Sequence, residues 1–384
     1  MNMVKRKLKL PAAIVLSISL IFCMFSADAA TTTPAKTKPI EFVQQSLKIS
    51  TGIKTVSVIK VDPNDPKIRF EVGLPGSKLN VTDDFEKMVK AKGAKAAINA
   101  NFFSAYSTIK DPIGHVMING KLVFGQSGIT SLGITKDKDL VFGTPGIFTR
   151  MFADGKRTND MRIGGSAYYN VWVAYEINTR SPSKSNTIMY TPDRGDAIEL
   201  NAPGYVATVR NKVLQSFTKL NPPQIVNIPK DGYVTFFGSD VVSKWNGDNG
   251  LTRGRNIETE YYLFKAKDDS FKLDEMQWMI SGAPDLVING KISAAKLPPG
   301  FTDSRFTTSA SYRTAIGVDK NGRLLLVCVK SVKISELKEI MLKLGCINAI
   351  NLDGGASSGM YYDGKVVTKP GRKRTTVLYV YQDP

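Results

Sequence analysis

Histidine and cysteine are scarce in this 384-residue chain, which has one histidine, His115, and three cysteines. A metal site built from three histidines is therefore excluded, and a serine–histidine–aspartate triad would use up the single imidazole. Acidic residues are also few, 34 against 52 lysines and arginines, so the formal net charge is +18. The lysines are scattered, and no recognisable nucleic-acid-binding motif accompanies them, so we expect no nucleic-acid partner.

The excess of positive charge has two interpretations. A positive surface would raise the local affinity of the protein for anionic polysaccharide, such as the phosphate-rich polymers of a cell wall. Alternatively, the lysines form a solvated surface that has no specific role. Composition alone does not decide between the two.

The apolar run near the N-terminus, residues 14–25, is too short to span a bilayer comfortably. It follows a basic stretch and precedes Ala27-Asp28-Ala29, the pattern of a secretory signal peptide and its cleavage site. We therefore predict a signal peptide over residues 1–29 and a secreted, extracellular protein. The secreted protein could associate with the cell wall, and we expect no stable membrane insertion after the signal peptide is cleaved. An uncleaved membrane anchor is the alternative. Residues 30–50 are predicted as a linker, and residues 51–384 as one domain with a β-rich central segment, 126–312.

Two cysteines, Cys328 and Cys346, lie beyond the predicted signal peptide. A disulfide is permitted outside the cell. However, the two residues flank a predicted helical crossover between strands, and parallel strands would place them at opposite ends of a sheet. We expect two buried free thiols, with pairing left open.

The 32 glycines and 19 prolines indicate many turns. Residues 83–93 and 335–345 share a helical spacing of apolar residues, and each is followed by a short apolar strand, at a constant offset in the chain. Asn-Gly and Asp-Gly turns follow at Asn119 and Asp363, and a further hairpin is predicted at residues 61–66. The predicted fold class is α+β, with mixed β-sheets, few helices and an internal pseudo-two-fold duplication of a hairpin–helix–strand–hairpin unit. Chance similarity of two strand–helix units is the alternative.

The most informative motif is Asn351-Leu352-Asp353 followed by a glycine-rich turn. Glycines allow backbone N–H groups to approach an anion closely, and serine hydroxyls add further donors. A carboxylate beside such an anion site suits hydrolysis near a phosphate. An Asp-Gly turn capped by serines, without catalytic role, is the alternative. The turn contributes these candidates: Gly354, Gly355, Ser357 and Ser358.

The duplication would place a second motif, residues 97–103, opposite the first. Asn99 and Asn101 lie on one face of its strand, where their amides could bind sugar hydroxyls. Phe103 could form an apolar wall for a sugar ring, or belong to the core. Because strand ends are common ligand sites, we predict that Asn101 and Asp353 face one crevice, within about 10 Å of each other.

Two arginines and the single histidine complete the candidates. Arg313 and Arg374 each precede a predicted strand, and a guanidinium is a natural partner for a phosphate or for Asp353. An exposed surface arginine is the usual alternative for each. His115 lies on the loop after Phe103, where a surface histidine is a simpler interpretation than a general acid.

At these residues the chain resembles the phosphodiester glycosidase family, the family of the uncovering enzyme. The similarity extends over about residues 50–381, nearly the whole chain after the predicted signal peptide. The segments that carry it are residues 97–103, 112–120, 190–195, 281–284, 313–319, 345–358 and Arg374. The resemblance implies hydrolysis of a glycosidic bond whose leaving group is a phosphodiester.

We therefore predict a secreted glycosidase that hydrolyses sugar-1-phosphodiester linkages in cell-wall or exopolysaccharide glycans. Asp353, Arg313 and Asn101 are the predicted catalytic residues. The predicted substrate-binding residues are Asn99, Phe103, His115, Asn351, Gly354, Gly355, Ser357, Ser358 and Arg374. The predicted partner is an anionic glycan or sugar phosphate. No cofactor is required by the sequence, and a divalent cation is left open.

Two other functions are alternatives to this prediction. The first is a non-catalytic protein that binds polyanions or glycans in the cell wall through the same crevice. The second is a metal-dependent phosphodiesterase that cleaves the P–O bond, which ranks last because the sequence has no histidine-rich cluster of metal ligands.

Overall fold

The protein is described here from a computed structural model. The structure describes residues 38–154, 171–180, 182–245, 250–264 and 274–384, apart from 296, 299–300, 302–303 and 305–307. The predicted signal peptide and most of the polar spacer before Pro39 therefore lie outside the described residues. Residues 38–384 form one compact unit.

The described residues are mostly β-strand, as the turn-rich composition predicts. The first half of the chain forms these strands: β1 (Ile40–Ile49), β2 (Gly52–Val61), β3 (Ile68–Gly73), β4 (Ala96–Asn99), β5 (Val116–Ile118), β6 (Lys121–Phe124), β7 (Ser131–Thr135), β8 (Leu140–Gly143), β9 (Gly146–Ala153), β10 (Val171–Ala174), β11 (Glu176–Ile177), β12 (Thr187–Tyr190) and β13 (Ala197–Leu200). The second half forms these: β14 (Gly204–Arg210), β15 (Val213–Lys219), β16 (Gln224–Asn227), β17 (Gly232–Gly238), β18 (Ile257–Phe264), β19 (Met276–Ser281), β20 (Asp285–Ile288), β21 (Lys291–Ile292), β22 (Ser311–Asp319), β23 (Leu324–Val332), β24 (Cys346–Asn351), β25 (Met360–Tyr362), β26 (Lys365–Thr368) and β27 (Val377–Gln382).

Helices are few among the described residues. The α-helices are α1 (Phe85–Lys92), α2 (Ser239–Val242) and α3 (Ile334–Lys343), and short 3-10 turns occur at Pro75–Ser77, Pro192–Arg194 and Gly355–Ser357. The predicted preponderance of sheet over helix is thus confirmed.

Two sheets carry the functional region. The larger has seven strands in the order β1-β2-β23-β22-β24-β20-β21, and the smaller has five in the order β26-β25-β4-β27-β3. A second five-stranded sheet, β6-β5-β19-β7-β8, adjoins them, and the central segment adds sheets of the orders β11-β12-β17-β14-β15, β10-β9-β18 and β13-β16. The named strand pairs among the described residues are antiparallel except for the short pair β11–β12.

The main core lies between these sheets, because the inner strands are apolar on both faces. In β23, Leu324 and Leu326 pack into a cluster shared with the five-stranded sheets. The alternate residues Leu325 and Val327 pack on the other face, against α3. Period-two alternation of apolar side chains thus buries both sides of the strand.

The helices α1 and α3 begin and end close to the predicted positions. The Asp84 carboxylate accepts a hydrogen bond from the Lys87 N–H (3.0 Å) at the start of α1, and Gly93 ends it in the left-handed conformation (φ 63°). At α3, the Glu336 carboxylate accepts from the backbone N–H of Lys333 (2.7 Å). Each helix covers one outer face of its sheet with a stripe of buried apolar residues.

The Asn-Gly and Asp-Gly hairpins form as predicted, joining β5 to β6 and β25 to β26. The hairpin predicted at residues 61–66 is wrong. β2 pairs with β1 and β23 in the seven-stranded sheet, whereas β3 pairs with β27 in the other sheet. The connection is therefore a crossing between sheets, which local turn residues do not distinguish from a hairpin.

The predicted duplication is not confirmed. The strands of residues 56–124 are distributed over three sheets, whereas those of residues 313–368 lie in two. Each helix does connect two strands that flank a third strand, β27 for α1 and β22 for α3. The two segments share this connection and the later hairpin, but β22 and β23 pair with each other, whereas β2 and β3 belong to different sheets.

The predicted linker of residues 30–50 also needs correction. β1 pairs along its whole length with β2, from Ile40 opposite Val61 to Ile49 opposite Gly52. Ile40 and Ile49 are buried at its two ends. Residues 40–49 therefore form an edge strand of the seven-stranded sheet rather than part of a spacer.

The prediction of buried free thiols is confirmed for both Cys328 and Cys346. β22 separates their strands, and Cys328 lies opposite Thr314 while Cys346 lies opposite Asp319. The two thiols thus lie beside different positions of β22, Cys346 at its end and Cys328 nearer its middle. No helix in the described part of the chain is long and apolar enough to cross a membrane.

Candidate active site

The ends of β4 and β24 meet, as predicted, although they belong to different sheets. The N–H of Asp353 donates to the carbonyl of Ala100 at 3.2 Å, directly beyond the two strands. Each strand therefore delivers its following loop to the same place. A pocket of about 310 Å³ opens there.

The pocket lining combines apolar and charged side chains. Its lining consists of Phe102, Phe103, Ala105, Tyr106, Ile113, Phe301, Ser311, Arg313, Asp353, Gly354, Gly355, Ala356 and Arg372. The Phe102 and Phe301 rings meet edge to face, with centroids 5.2 Å apart. A lining that combines aromatic rings with a carboxylate and guanidinium groups suits a ligand that is partly apolar and partly anionic.

Asp353 is the carboxylate among the lining residues, in agreement with its predicted position. Burial raises the pKa of Asp353 to about 6, because loss of water disfavours the charged form. The nearby Ser357 hydroxyl and the positive charges of Arg374 and Arg372 act in the opposite direction. Near neutral pH the group is thus ionised but poised close to its titration range, as is common for carboxyls that move protons.

Asn99 holds the loop of residues 353–359 rather than the pocket. Its Nδ2 donates to the carbonyl of Asp353 (2.7 Å), and its Oδ1 accepts from the N–H of Gly359 (2.8 Å). Because both ends of the amide bind backbone, the structure does not offer Asn99 to a sugar. It positions the loop that carries Asp353.

Gly354 and Gly355 line the pocket and have specific backbone reasons to be glycine. A Cβ on Gly354 would lie 2.9 Å from the carbonyl oxygen of Tyr312. Gly355 adopts φ 62°, in the left-handed region that side chains disfavour. Ser357 and Ser358 are buried behind these glycines and do not line the pocket.

Arg313 lines the pocket, but its guanidinium is anchored to backbone. Its Nε donates to the Val332 carbonyl (3.2 Å) and its Nη2 to the Ser309 carbonyl (2.7 Å). Burial lowers its pKa. Arg313 therefore supplies fixed positive charge at one wall of the pocket.

Arg374 lies behind the pocket lining and is almost fully buried. Its Nη1 donates to the carbonyl of Lys373 (2.7 Å) and its Nη2 to that of Ala356 (2.6 Å). Burial lowers the pKa of Arg374 to about 10, partly offset by the Asp353 carboxylate. It contributes charge to Asp353 and support to the glycine loop, rather than a surface for ligand.

Asn101 and Asn351 are also oriented away from the pocket lining. Nδ2 of Asn101 donates to the carbonyls of Ile113 (2.9 Å) and His115 (3.0 Å), which fixes the loop after β4. Nδ2 of Asn351 donates to the carbonyl of Ala283 (2.7 Å). Oδ1 of each is buried without a hydrogen-bond partner. Neither side chain lines the pocket, so the structure does not support the predicted contact of either residue with the substrate.

His115 is a core residue, so the expectation of a surface or substrate-binding histidine is wrong. Its side chain is fully buried, and Nε2 lies 3.1 Å from the carbonyl oxygen of Pro145. Burial lowers the pKa of His115 to about 4, so the imidazole is neutral near pH 7. Gly114 lies close to Ser281, and the Ser281 hydroxyl accepts a hydrogen bond from the His115 N–H. The turn pattern of residues 111–115 does not predict these long-range contacts.

Arg372 and Tyr106 also line the pocket, although the sequence did not predict them as site residues. Arg372 lines the pocket, donates from Nη2 to the Tyr106 hydroxyl (3.0 Å), and places its guanidinium carbon 5.1 Å from the centre of the Tyr106 ring. Arg372 lies within the basic run of residues 369–374, where pattern alone does not distinguish one basic residue from another. Its one sequence signal is the Pro370-Gly371 turn directly before it.

A buried ion pair connects the pocket loop to the central segment. Nη1 of Arg194 donates to the Asp111 carboxylate (2.6 Å) and to the Asn178 carbonyl (2.9 Å). Asp111 belongs to the loop that also carries Tyr106 and Ile113 of the pocket lining. The central segment therefore supports one wall of the site.

The described residues contain no group of three or more histidine, cysteine, aspartate or glutamate side chains placed to hold a metal ion. The charges of Arg374 and Arg372 and the backbone N–H of Gly354 act on the Asp353 carboxyl. The arrangement suits an anionic ligand held beside a carboxylate.

A family model described as phosphodiester glycosidase matches residues 201–381. The match includes Arg313, Asp353, Arg372 and Arg374, and leaves β1 to β13 outside it. The resemblance predicted from the sequence is thereby confirmed.

Curated relatives match shorter segments. The chain is 37% identical over 73 residues to N-acetylglucosamine-1-phosphodiester α-N-acetylglucosaminidase of Bos taurus, which covers 17% of this chain and 14% of that protein. It is 32% identical over 106 residues to the protein of the same name from Homo sapiens, which covers 24% of this chain and 21% of that protein. The chain thus spans about a seventh and a fifth of the length of these two relatives. By name, they are hydrolases of the predicted class.

Solved structures extend the likeness to nearly the whole chain. A hypothetical protein from Synechocystis superposes with a TM-score of 0.73 at 20% identity, over 91% of this chain and 66% of that one. A protein from Burkholderia pseudomallei superposes with a TM-score of 0.65 at 19% identity, over 86% of this chain and 74% of that one. These similarities establish a shared fold.

Proposed function

From the confirmed resemblance to phosphodiester glycosidases, we propose that this chain hydrolyses glycosyl phosphodiesters. The observation that carries the proposal is Asp353, a carboxyl of raised pKa in a pocket with Arg313 and Arg372. A sugar-1-phosphodiester matches both the apolar and the charged side chains of this pocket. The sugar ring would lie against the phenylalanines, and the phosphate against the guanidinium groups.

The chemistry requires little besides the groups present. Water adds at the anomeric carbon, the bond from that carbon to the bridging oxygen breaks, and the phosphate departs as a monoester that takes up one proton. Because a phosphate is already a good leaving group, the reaction depends less on a strong general acid than ordinary glycoside hydrolysis does. Asp353, as a carboxylate, would activate the water or stabilise the oxocarbenium ion.

The substrate that we propose is an anionic cell-wall or exopolysaccharide-type glycan, reached outside the cell. The signal-like N-terminal pattern and the net charge of +18 support this part of the proposal. No cofactor is needed for the reaction as written. A divalent cation on the phosphate is compatible with it.

A non-catalytic polyanion-binding protein is the second candidate, because the same net charge favours it. Such a protein would bind purified wall polymer and release no product. Turnover therefore separates the two functions.

The decisive experiment is incubation of the protein with an α-N-acetylglucosaminyl phosphodiester in oxygen-18 water. We expect the released phosphate to carry no label, because attack at the anomeric carbon leaves the phosphate oxygens unchanged. Label in the phosphate would identify P–O cleavage instead. Absence of turnover with a panel of glycosyl phosphodiesters, while polymer binding persists, would favour the second candidate.

Asp353→Asn is the matched variant for this assay. We expect kcat to fall by on the order of 10²-fold or more, because asparagine preserves the shape but removes the charge. Thermal melting should show that the variant is folded. Full activity in a folded Asp353→Asn protein would contradict the assignment of Asp353.

A further inference from the structure

Three arginines, Arg313, Arg372 and Arg374, line the pocket or lie directly behind its lining, but they differ in what they already bind. Arg313 and Arg374 both donate to backbone carbonyls, those of Val332 and Ser309 and those of Lys373 and Ala356. Arg372 donates to a neutral phenol oxygen, that of Tyr106. Arg372 is thus the pocket guanidinium whose geometry depends least on the protein backbone.

The position of Arg372 fits an anionic ligand. It is only partly buried, it lines the pocket, and its charge is felt by the Asp353 carboxyl. No carboxylate among the described residues forms an ion pair with it. A guanidinium has five N–H donors, and one hydrogen bond to Tyr106 leaves a planar edge that matches two phosphate oxygens.

Tyr106 explains how Arg372 is held without being neutralised. The Tyr106 side chain is 74% exposed, so its hydroxyl and ring contact with Arg372 do not result from core packing. A ring face attracts a guanidinium but does not cancel its charge. Tyr106 lies on the loop after β4, whereas Arg372 lies on the loop before β27, so the pair joins the two rims of the pocket.

We propose that Arg372 binds the phosphate of the scissile phosphodiester and that Tyr106 is the positioning residue that orients it. This assignment rests on the proposed function and moves the phosphate contact from Arg313 and Arg374, predicted from the sequence, to Arg372. Since negative charge grows on the departing phosphate, Arg372 would act on the transition state as well as on binding.

The test compares an anionic and a neutral substrate. For an α-N-acetylglucosaminyl phosphodiester, we expect Arg372→Ala to raise KM about tenfold or more and to lower kcat, since a charge-assisted bidentate contact is lost. For the neutral nitrophenyl α-N-acetylglucosaminide, KM should change less than about twofold. Arg372→Lys should recover part of the loss, because the charge remains without the planar edge.

Lys373→Ala is the matched control, because it removes the same charge from the exposed neighbouring position. We expect it to behave as the wild-type protein with both substrates. Tyr106→Phe should raise the phosphodiester KM slightly, and Tyr106→Ala more strongly, since only the latter loses the ring contact. Equal losses on both substrates would mean a structural role and overturn the assignment.

Failure of the inference is distinguishable from failure of the proposed function. If the wild-type protein hydrolyses phosphodiesters and Arg372→Ala matches Lys373→Ala, the inference is wrong and the function stands. If nothing is hydrolysed, calorimetric titration with N-acetylglucosamine-1-phosphate tests whether Arg372 binds phosphate. Binding that is lost in Arg372→Ala supports the phosphate site, and binding unchanged in it, or absent in the wild type, overturns it.

Discussion

At the scale of residues, burial and chemistry act in opposite directions on Asp353. The proposed reaction uses the ionised carboxylate, whereas burial raises the pKa of the group to about 6. Arg372 and Arg374 favour the ionised form but do not remove the effect of burial. The proposed reaction is therefore expected over only part of the pH range.

This conflict predicts the pH dependence of activity. Because the pKa of Asp353 is raised, protonation removes the carboxylate as the pH falls through about 6, and kcat/KM should decrease tenfold per unit below it. His115 does not account for such a limb, since its pKa falls to about 4. Initial rates between about pH 4.5 and 8 check the prediction. Activity that increases toward acidic pH would instead identify protonated Asp353 as a general acid.

At the scale of elements, the site depends on how β4 holds the loop after β24. Asn99, the last residue of β4, binds that loop at both ends, through Asp353 and Gly359. The two strands belong to different sheets. One buried amide thus couples the sheets at the position where the chemistry is proposed.

We expect Asn99→Ala to lower the free energy of unfolding by about 2–4 kcal/mol, because a buried carbonyl and a buried N–H lose their partner. The activity of the folded fraction should also fall, since Asp353 is no longer held. Denaturant titration with parallel kinetics measures both effects. Asn64→Ala, at an exposed loop position, is the control. Unchanged stability in Asn99→Ala would show that the loop is held by other contacts.

The elements themselves were largely readable from local pattern. The helix caps near Asp84 and Gly93, and the Asn-Gly turn at Asn119, depend on residues close together in the chain, so their positions follow from turn and capping chemistry. Sheet membership was not readable in this way. β2 and β3 are adjacent in sequence, yet their partners β23 and β27 lie far along the chain.

At the scale of the whole molecule, the charge of +18 predicts salt-sensitive binding to polyanions. We expect retention on a phosphate-containing wall polymer at about 50 mM salt and release by about 500 mM, since screening shortens the range of the attraction. A neutral polysaccharide such as dextran is the control for the polymer. Arg372→Ala should be retained almost equally, because the positive charge is spread over the surface. Retention that does not change with salt would contradict a charge-driven association.

By itself, the sequence determined the local units and the buried thiols and singled out Asp353 as a candidate, because each depends on short-range pattern or on residue chemistry. Only the tertiary structure decided which side chains reach the pocket. Asn99 and His115 appeared as binding groups in the sequence, but long-range contacts with residue 359 and with Pro145 direct them inward. Arg372 reaches the pocket because its loop meets Tyr106 from a distant segment. The physical reason is that buried backbone N–H and C=O groups need hydrogen-bond partners, so a polar side chain that lies beside them binds them and not a ligand. Which backbone groups lie beside a given side chain is decided only by the tertiary fold.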